Sequence, residues 1–105
     1  MNINYIGKDD VRSEALEEIC NKKLARLEKR FVNGESQADV NFAMENNDFV
    51  LTIQLFIDGD KYIAKAKCLK GPDMYKNIDT CIEKLEAQLR KTKVNKKGAK
   101  KPSVE

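Results

Sequence analysis

A chain of 105 residues is long enough for one hydrophobic core and too short for two, so a single compact domain with a short appendage is expected. It has no His, and its three cysteines, Cys20, Cys68 and Cys81, lack Cys-x-x-Cys spacing, which excludes the common zinc frameworks and leaves reduced, buried thiols. The net charge of +3 excludes little by itself, but the charges segregate: residues 1–20 sum to −3 and residues 84–101 to +7, so a polyanion would notice the second region.

In chain order, Asn2-Ile3-Asn4-Tyr5-Ile6 alternates polar and apolar residues and stops at Gly7, the pattern of a short strand. A helix follows with Ser13 as its cap. Asp9, Asp10, Glu14, Glu17 and Glu18 gather near its start and Lys22, Lys23, Arg26, Lys29 and Arg30 toward its end, as the helix dipole favours. Leu16, Ile19, Cys20, Leu24, Leu27 and Phe31 mark its buried face, and Asn33-Gly34 predicts a left-handed stop.

From Ser36 the period becomes two. Ala38, Val40, Phe42 and Met44 face one way until Asn46-Asn47-Asp48 turns the chain. Phe49, Leu51, Ile53, Leu55 and Ile57 then form the longest and most apolar strand, which predicts a central position. Asp58-Gly59 signals a tight hairpin, and Tyr62, Ala64, Ala66 and Cys68 alternate with Ile63, Lys65, Lys67 and Leu69 in a fourth strand. After Pro72, Asp73 offers a carboxylate to the free N–H groups of a helix start. Met74, Ile78, Ile82, Leu85 and Leu89 recur as its apolar stripe, with Lys76, Lys84, Ala87 and Lys91 turned away.

The order is β-α-β-β-β-α, and each helix has one apolar stripe to hide, so the fold class expected is α+β: a two-layer sandwich, a four-stranded sheet with two helices on one face. Residues 1–93 form the domain and residues 94–105, with almost nothing to bury, a disordered basic tail. No run approaches the ~20 apolar residues of a membrane span, and the first residues lead into a strand instead of a signal peptide, so a cytoplasmic protein with no membrane partner is expected.

An enzyme has little to stand on here. There is no Gly-rich phosphate loop, nucleophile elbow or ligand cluster, and Asp58 and Asp60 read as turn residues. No cofactor and no small-molecule substrate is expected. The informative feature is a pair of basic helix faces. Lys22, Lys23, Arg26, Lys29 and Arg30 on the first helix and Lys76, Lys84, Arg90, Lys91 and Lys93 on the second are the candidate phosphate contacts, and two such stripes are expected side by side. The same residues also suit any solvated helix face. Tyr75 could stack on a base or pack beside Pro72, and Lys65 and Lys67 could extend the basic surface or guard an edge strand.

These residues, taken together, resemble the ribosome hibernation promoting factor family, also called ribosome-associated inhibitors or sigma-54 modulation proteins. Asp73-Met74-Tyr75, Ile78-Asp79, Lys84-Leu85, Gln88-Leu89 and Lys91-x-Lys93 are similar to that family's last helix. Met1-Asn2-Ile3-Asn4, Gly7-Lys8, Ala15-Leu16 and Lys23-Leu24-x-x-Leu27-Glu28-x-x-Phe31 are similar to its opening strand and helix. The resemblance covers residues 1–93 and implies a non-enzymatic, translation-silencing protein. It would bind the small ribosomal subunit and its rRNA between head and body and block the mRNA and tRNA sites. By motif position it carries RNA contact to Lys84, Gln88, Arg90, Lys91 and Lys93, and to Lys22, Lys23, Arg26, Lys29 and Arg30. Ala87 stands where the family often has Arg, with Arg90 a candidate to compensate. Long members of the family have a further domain that pairs two ribosomes. This chain reads as a short form or as the N-terminal domain of a longer one, monomeric in isolation. Two other readings stay open: a double-stranded RNA binding module acting away from the ribosome, and a domain whose basic face meets an acidic protein.

Overall fold

The computed structural model describes residues 1–7 and 13–98, with side chains through residue 91. Asp9, Asp10 and the tail from residue 99 onward lie outside the described residues. The elements run β1 (Asn2–Ile6), α1 (Glu14–Phe31), β2 (Ser36–Glu45), β3 (Asp48–Ile57), β4 (Asp60–Leu69) and α2 (Asp73–Gly98), the order expected. The backbone of α2 continues to Gly98, past the Lys93 at which the sequence pattern ends the folded part.

Strands lie in the order β1-β2-β3-β4, with β1 parallel to β2 and the other pairs antiparallel, so the apolar β3 is an interior strand as its composition predicts. Register makes one face continuous: Ala38 pairs with Leu55, Val40 with Ile53 and Phe42 with Leu51, while Leu55 pairs with Tyr62 and Ile53 with Ala64. A slip by one residue would turn that whole row to solvent. The β3–β4 hairpin closes on Asp58 (φ 53°) and Gly59 (φ 84°), the two left-handed residues that match the twist of a two-residue turn.

Both helices cover this face. Leu16, Cys20, Leu24 and Leu27 of α1 and Met74, Ile78, Cys81, Leu85 and Leu89 of α2 join the sheet residues in one core. At α1 the Ser13 hydroxyl accepts from the Leu16 N–H at 3.1 Å, the capping bond expected. The other end departs from expectation. Neither Asn33 nor Gly34 takes a positive φ; instead Val32 goes extended (φ −116°, ψ 127°) while its N–H still reaches the Glu28 carbonyl at 2.9 Å. With β2 beginning at Ser36, the chain has to leave the helix directly in an extended direction, and a left-handed reversal would send it elsewhere.

A second departure concerns the start and the stripe of α2. Asp73 is the first helical residue rather than the residue before it, and the Met74 and Tyr75 N–H groups are taken by the carbonyls of Gly71 (2.9 Å) and Pro72 (3.3 Å). Cys81, not Ile82, occupies the innermost position, its thiol donating to the Leu51 carbonyl at 3.5 Å; Ile82 is only half-buried, at the seam between the helices. A helix that rests on a sheet and on a second helix buries a wider arc than a single stripe, and the arc here is centred on Ile78, Cys81 and Leu85.

The buried thiols set a limit on alkali tolerance. Burial pushes Cys20 and Cys81 up from 9.0 to about 12, with Cys81 also raising Cys20. A group whose folded-state value is raised contributes stability below its unfolded value and loses it as pH climbs to the folded one. The melting temperature is therefore expected to hold up to about pH 9 and to fall steadily between 9 and about 12, which thermal melts across that range would read. At pH 8 an alkylating reagent should modify the half-buried Cys68 well before the other two. Equal rates at all three thiols would show that the core opens easily.

Candidate nucleic-acid interface

Helix rotation decides which charges meet. The flank of α1 that faces α2 presents Lys23, Arg26 and Arg30, and the facing flank of α2 presents Asp79, Glu83 and Glu86 around a groove of about 350 Å³. Lys23 Nζ lies 2.6 Å from Asp79 Oδ1, and Glu86 Oε2 is shared by Arg30 Nη1 at 2.9 Å and Arg90 Nη2 at 2.6 Å. The expectation of two adjacent basic stripes is thus corrected: a line of three carboxylates runs between them. Each pair joins an exposed side chain to a half-buried one at the surface and contributes only about 0–1 kcal/mol to stability, yet it offsets positive charge at its position.

What remains is still cationic. Among the described residues no ion pair engages Lys22, Arg26, Lys29, Lys76 or Lys91, and all five side chains are exposed. Lys22 and Lys29 lie on the outermost line of α1, with Arg26 between them at the lip of the groove. Lys76 and Lys91 belong to α2's outer side, one near each end of its described side chains. Arg90 is committed to Glu86, and the Lys93 side chain lies outside the described residues.

Lys84 and Gln88 have a different situation. Their side chains turn away from α1 and down over β4: Lys84 Nζ donates to the Lys65 carbonyl and Gln88 Nε2 to the Ile63 carbonyl, both at 2.8 Å. Strand β4 is an edge, and these are alternate carbonyls along it, so α2 covers backbone acceptors that would otherwise invite another strand. Asn77, almost fully buried, donates to the Ala66 carbonyl at 3.0 Å and fixes the same side of the helix to the strand. An ammonium has three donors and an amide two, so both side chains keep hydrogens for a phosphate while holding the edge. Replacing Lys84 and Gln88 together by Ala is expected to cost about 1–2 kcal/mol and to speed hydrogen exchange along β4. Unchanged exchange there would mean the bonds do not close the edge.

Lys65 and Lys67 do not extend the helical surface. They alternate with the buried Ala64 and Ala66 and so project from the opposite face of the sheet, where both approach Glu45 at 3.8 and 3.5 Å. In register, Lys67 pairs with Val50, which is 3% exposed although it sits on the outer face. Sequence reasoning missed the Glu45 ion pairs and the carboxylate line alike. Among the described residues, no group of His, Cys, Asp and Glu is placed to hold a metal ion, and no helix is long and apolar enough to cross a membrane.

Sheet, paired helices and outward lysines define a small α+β domain with a cationic helical face. The chain belongs to the sigma 54 modulation protein / S30EA ribosomal protein family, whose model matches residues 3–97. It is 34% identical over 93 residues to the ribosome hibernation promoting factor of Escherichia coli, covering 89% of this chain and 94% of that one. It is also 33% identical over 100 residues to the ribosome hibernation promotion factor of Bacillus subtilis, covering 92% of this chain but 52% of the relative, so the chain spans about half of that protein's length. A ribosomal subunit interface protein from Coxiella burnetii has the same fold, with a TM-score of 0.71 at 28% identity over 90% of this chain and 99% of that one. These relatives are named as factors and as an interface protein, not as enzymes.

Proposed function

We propose that this domain silences idle ribosomes by binding the small subunit in the channel between head and body, where it takes the places of mRNA and of tRNA in the decoding and peptidyl sites. The observation that supports this most is the set of cations without an ion pair among the described residues, Lys22, Arg26, Lys29, Lys76 and Lys91, on the outer side of two helices held by a common core. Such a surface meets rRNA phosphates by shape and charge, without reading base sequence. Lys23, Arg30 and Arg90 reach RNA by exchanging a carboxylate partner for a phosphate, and Lys84 and Gln88 through the donors left over from the β4 edge. Lys93 and the lysines beyond it add counterion release. The work is steric and non-enzymatic, carried out in the cytoplasm by a monomer.

Sedimentation through a sucrose gradient tests this. Co-migration with small subunits, abolished when mRNA and initiator tRNA are bound first, is the expected result. Equal affinity for any RNA duplex, with no preference for the subunit, would replace the proposal by the double-stranded RNA module. Footprinting on the subunit RNA then locates the protein.

A further inference from the structure

Tyr75 is the aromatic residue that the fold does not use. Tyr62 is buried, and Tyr5 stacks on Phe42 with ring centroids 6.2 Å apart while its hydroxyl donates to the Glu17 carbonyl at 2.9 Å. Tyr75, by contrast, is 45% exposed. Beside it is a cleft of about 330 Å³, lined by Tyr75 and Asp79 from α2 and by Ile19, Lys22, Lys23 and Arg26 from α1. That volume is at the small end of ligand clefts.

The charges in this cleft are sorted. Lys23 and Asp79, 2.6 Å apart, neutralise one another at the wall, next to the half-buried Ile19 and the tyrosine ring. Lys22 and Arg26, one turn apart on α1 and free of ion pairs among the described residues, supply the positive charge. The cleft therefore offers an aromatic and an apolar surface beside two cations, which is the chemistry of a base followed by its phosphate.

We infer that the cleft between Tyr75 and the Lys22–Arg26 pair is a site for one unpaired RNA nucleotide, with the base stacked on Tyr75 and the phosphate held by Lys22 and Arg26. This rests on the RNA-binding reading above and deepens it. A duplex keeps its bases stacked inside and offers the ring nothing, so the site selects single-stranded or bulged RNA.

The sequence contains no Trp, so emission comes from its three tyrosines, and the part of the quenching that disappears in Tyr75→Phe belongs to the site. The full chain would be titrated with a uridylate octamer, a ribose-phosphate octamer of equal charge without bases, an eight-base-pair duplex and a glutamate octapeptide. The expected result is quenching and about tenfold tighter binding for the uridylate strand than for the baseless one. Tyr75→Ala, an exposed change that should leave the melting temperature in place, loses that tenfold, and Tyr75→Phe keeps it. Lys22→Ala with Arg26→Ala instead flattens the salt dependence for both strands. Equal binding of the baseless strand, the duplex or the peptide would overturn the inference, as would full affinity in Tyr75→Ala. Co-sedimentation separates the two readings. Subunit binding without any base-dependent step leaves the proposed function standing and removes this site; a base-dependent step without subunit binding does the reverse.

Discussion

Reversing the charge of Lys22, Arg26 and Lys29 together, by Lys22→Glu, Arg26→Glu and Lys29→Glu, is expected to weaken binding to small ribosomal subunits by at least about a hundredfold near 0.1 M salt. Removing one lysine or arginine from a phosphate lowers the logarithmic salt slope by about 0.7–0.9, and removing three at that salt accounts for the effect before any new repulsion is counted. All three side chains are exposed and unpaired among the described residues, so the melting temperature should move little. A control on the other side of the molecule makes the test sharp. Lys61→Glu with Lys67→Glu changes charge in the same sense on the outer face of the sheet, and should leave binding nearly as it was. If both sets weaken binding in proportion to their charge, the protein is responding to net charge and the helical face has no special role.

The second large effect is on the fold. Leu85→Asp is expected to leave the chain without cooperative thermal unfolding at neutral pH. Leu85 is 0% exposed in the middle of the only core among the described residues. Losing a buried leucine costs about 2–5 kcal/mol, and an unpaired carboxylate in its place adds several more, against a total stability of about 5–15 kcal/mol for a small domain. Circular dichroism during a melt would read this. Ile82→Asp, which the apolar stripe alone marks as equally destructive, should cost less and leave a folded protein, because Ile82 is half-buried in the seam and open to water. Equal damage from the two substitutions would mean that the seam is as dry as the core.

Those two isoleucine and leucine positions show where sequence reasoning reaches and where it stops. Element order was legible because the period changes from helical to alternating at Ser36 and back at Asp73, with Asp58-Gly59 fixing the hairpin between. Position within the sheet was legible for β3 because it has more apolar side chains than its neighbours. The rotation of α2 was not. A stripe drawn on an isolated helix cannot show that Ile82 faces a second helix while Cys81 faces the sheet, since that choice is made by two partners at once.

The site followed the same division. Lys22, Arg26 and Lys29 could be placed on an exposed face from spacing alone, and they are exposed and, among the described residues, unpaired. Sequence reasoning made nothing of Asp79, Glu83 and Glu86 as a line, because their alignment with Lys23, Arg26 and Arg30 depends on how the helices dock. Lys84 and Gln88 differ again: only knowing that β4 is an edge and lies beneath α2 reveals that they bind its carbonyls. A signal existed in principle. Two long polar side chains one turn apart on a helix that follows an edge strand are placed to reach its backbone.

The order of assembly has a consequence for how the protein is made. Core residues Met74, Ile78, Cys81, Leu85 and Leu89 all come from the final described element, and β1 finds its partner only when β2 has been synthesised. While α2 is still inside the exit tunnel, the nascent chain has one cationic helix and lacks five of the twenty core residues, and α1 rests on the sheet without its helical neighbour. The two-helix surface therefore comes into being only once α2 has left the tunnel and docked beside α1.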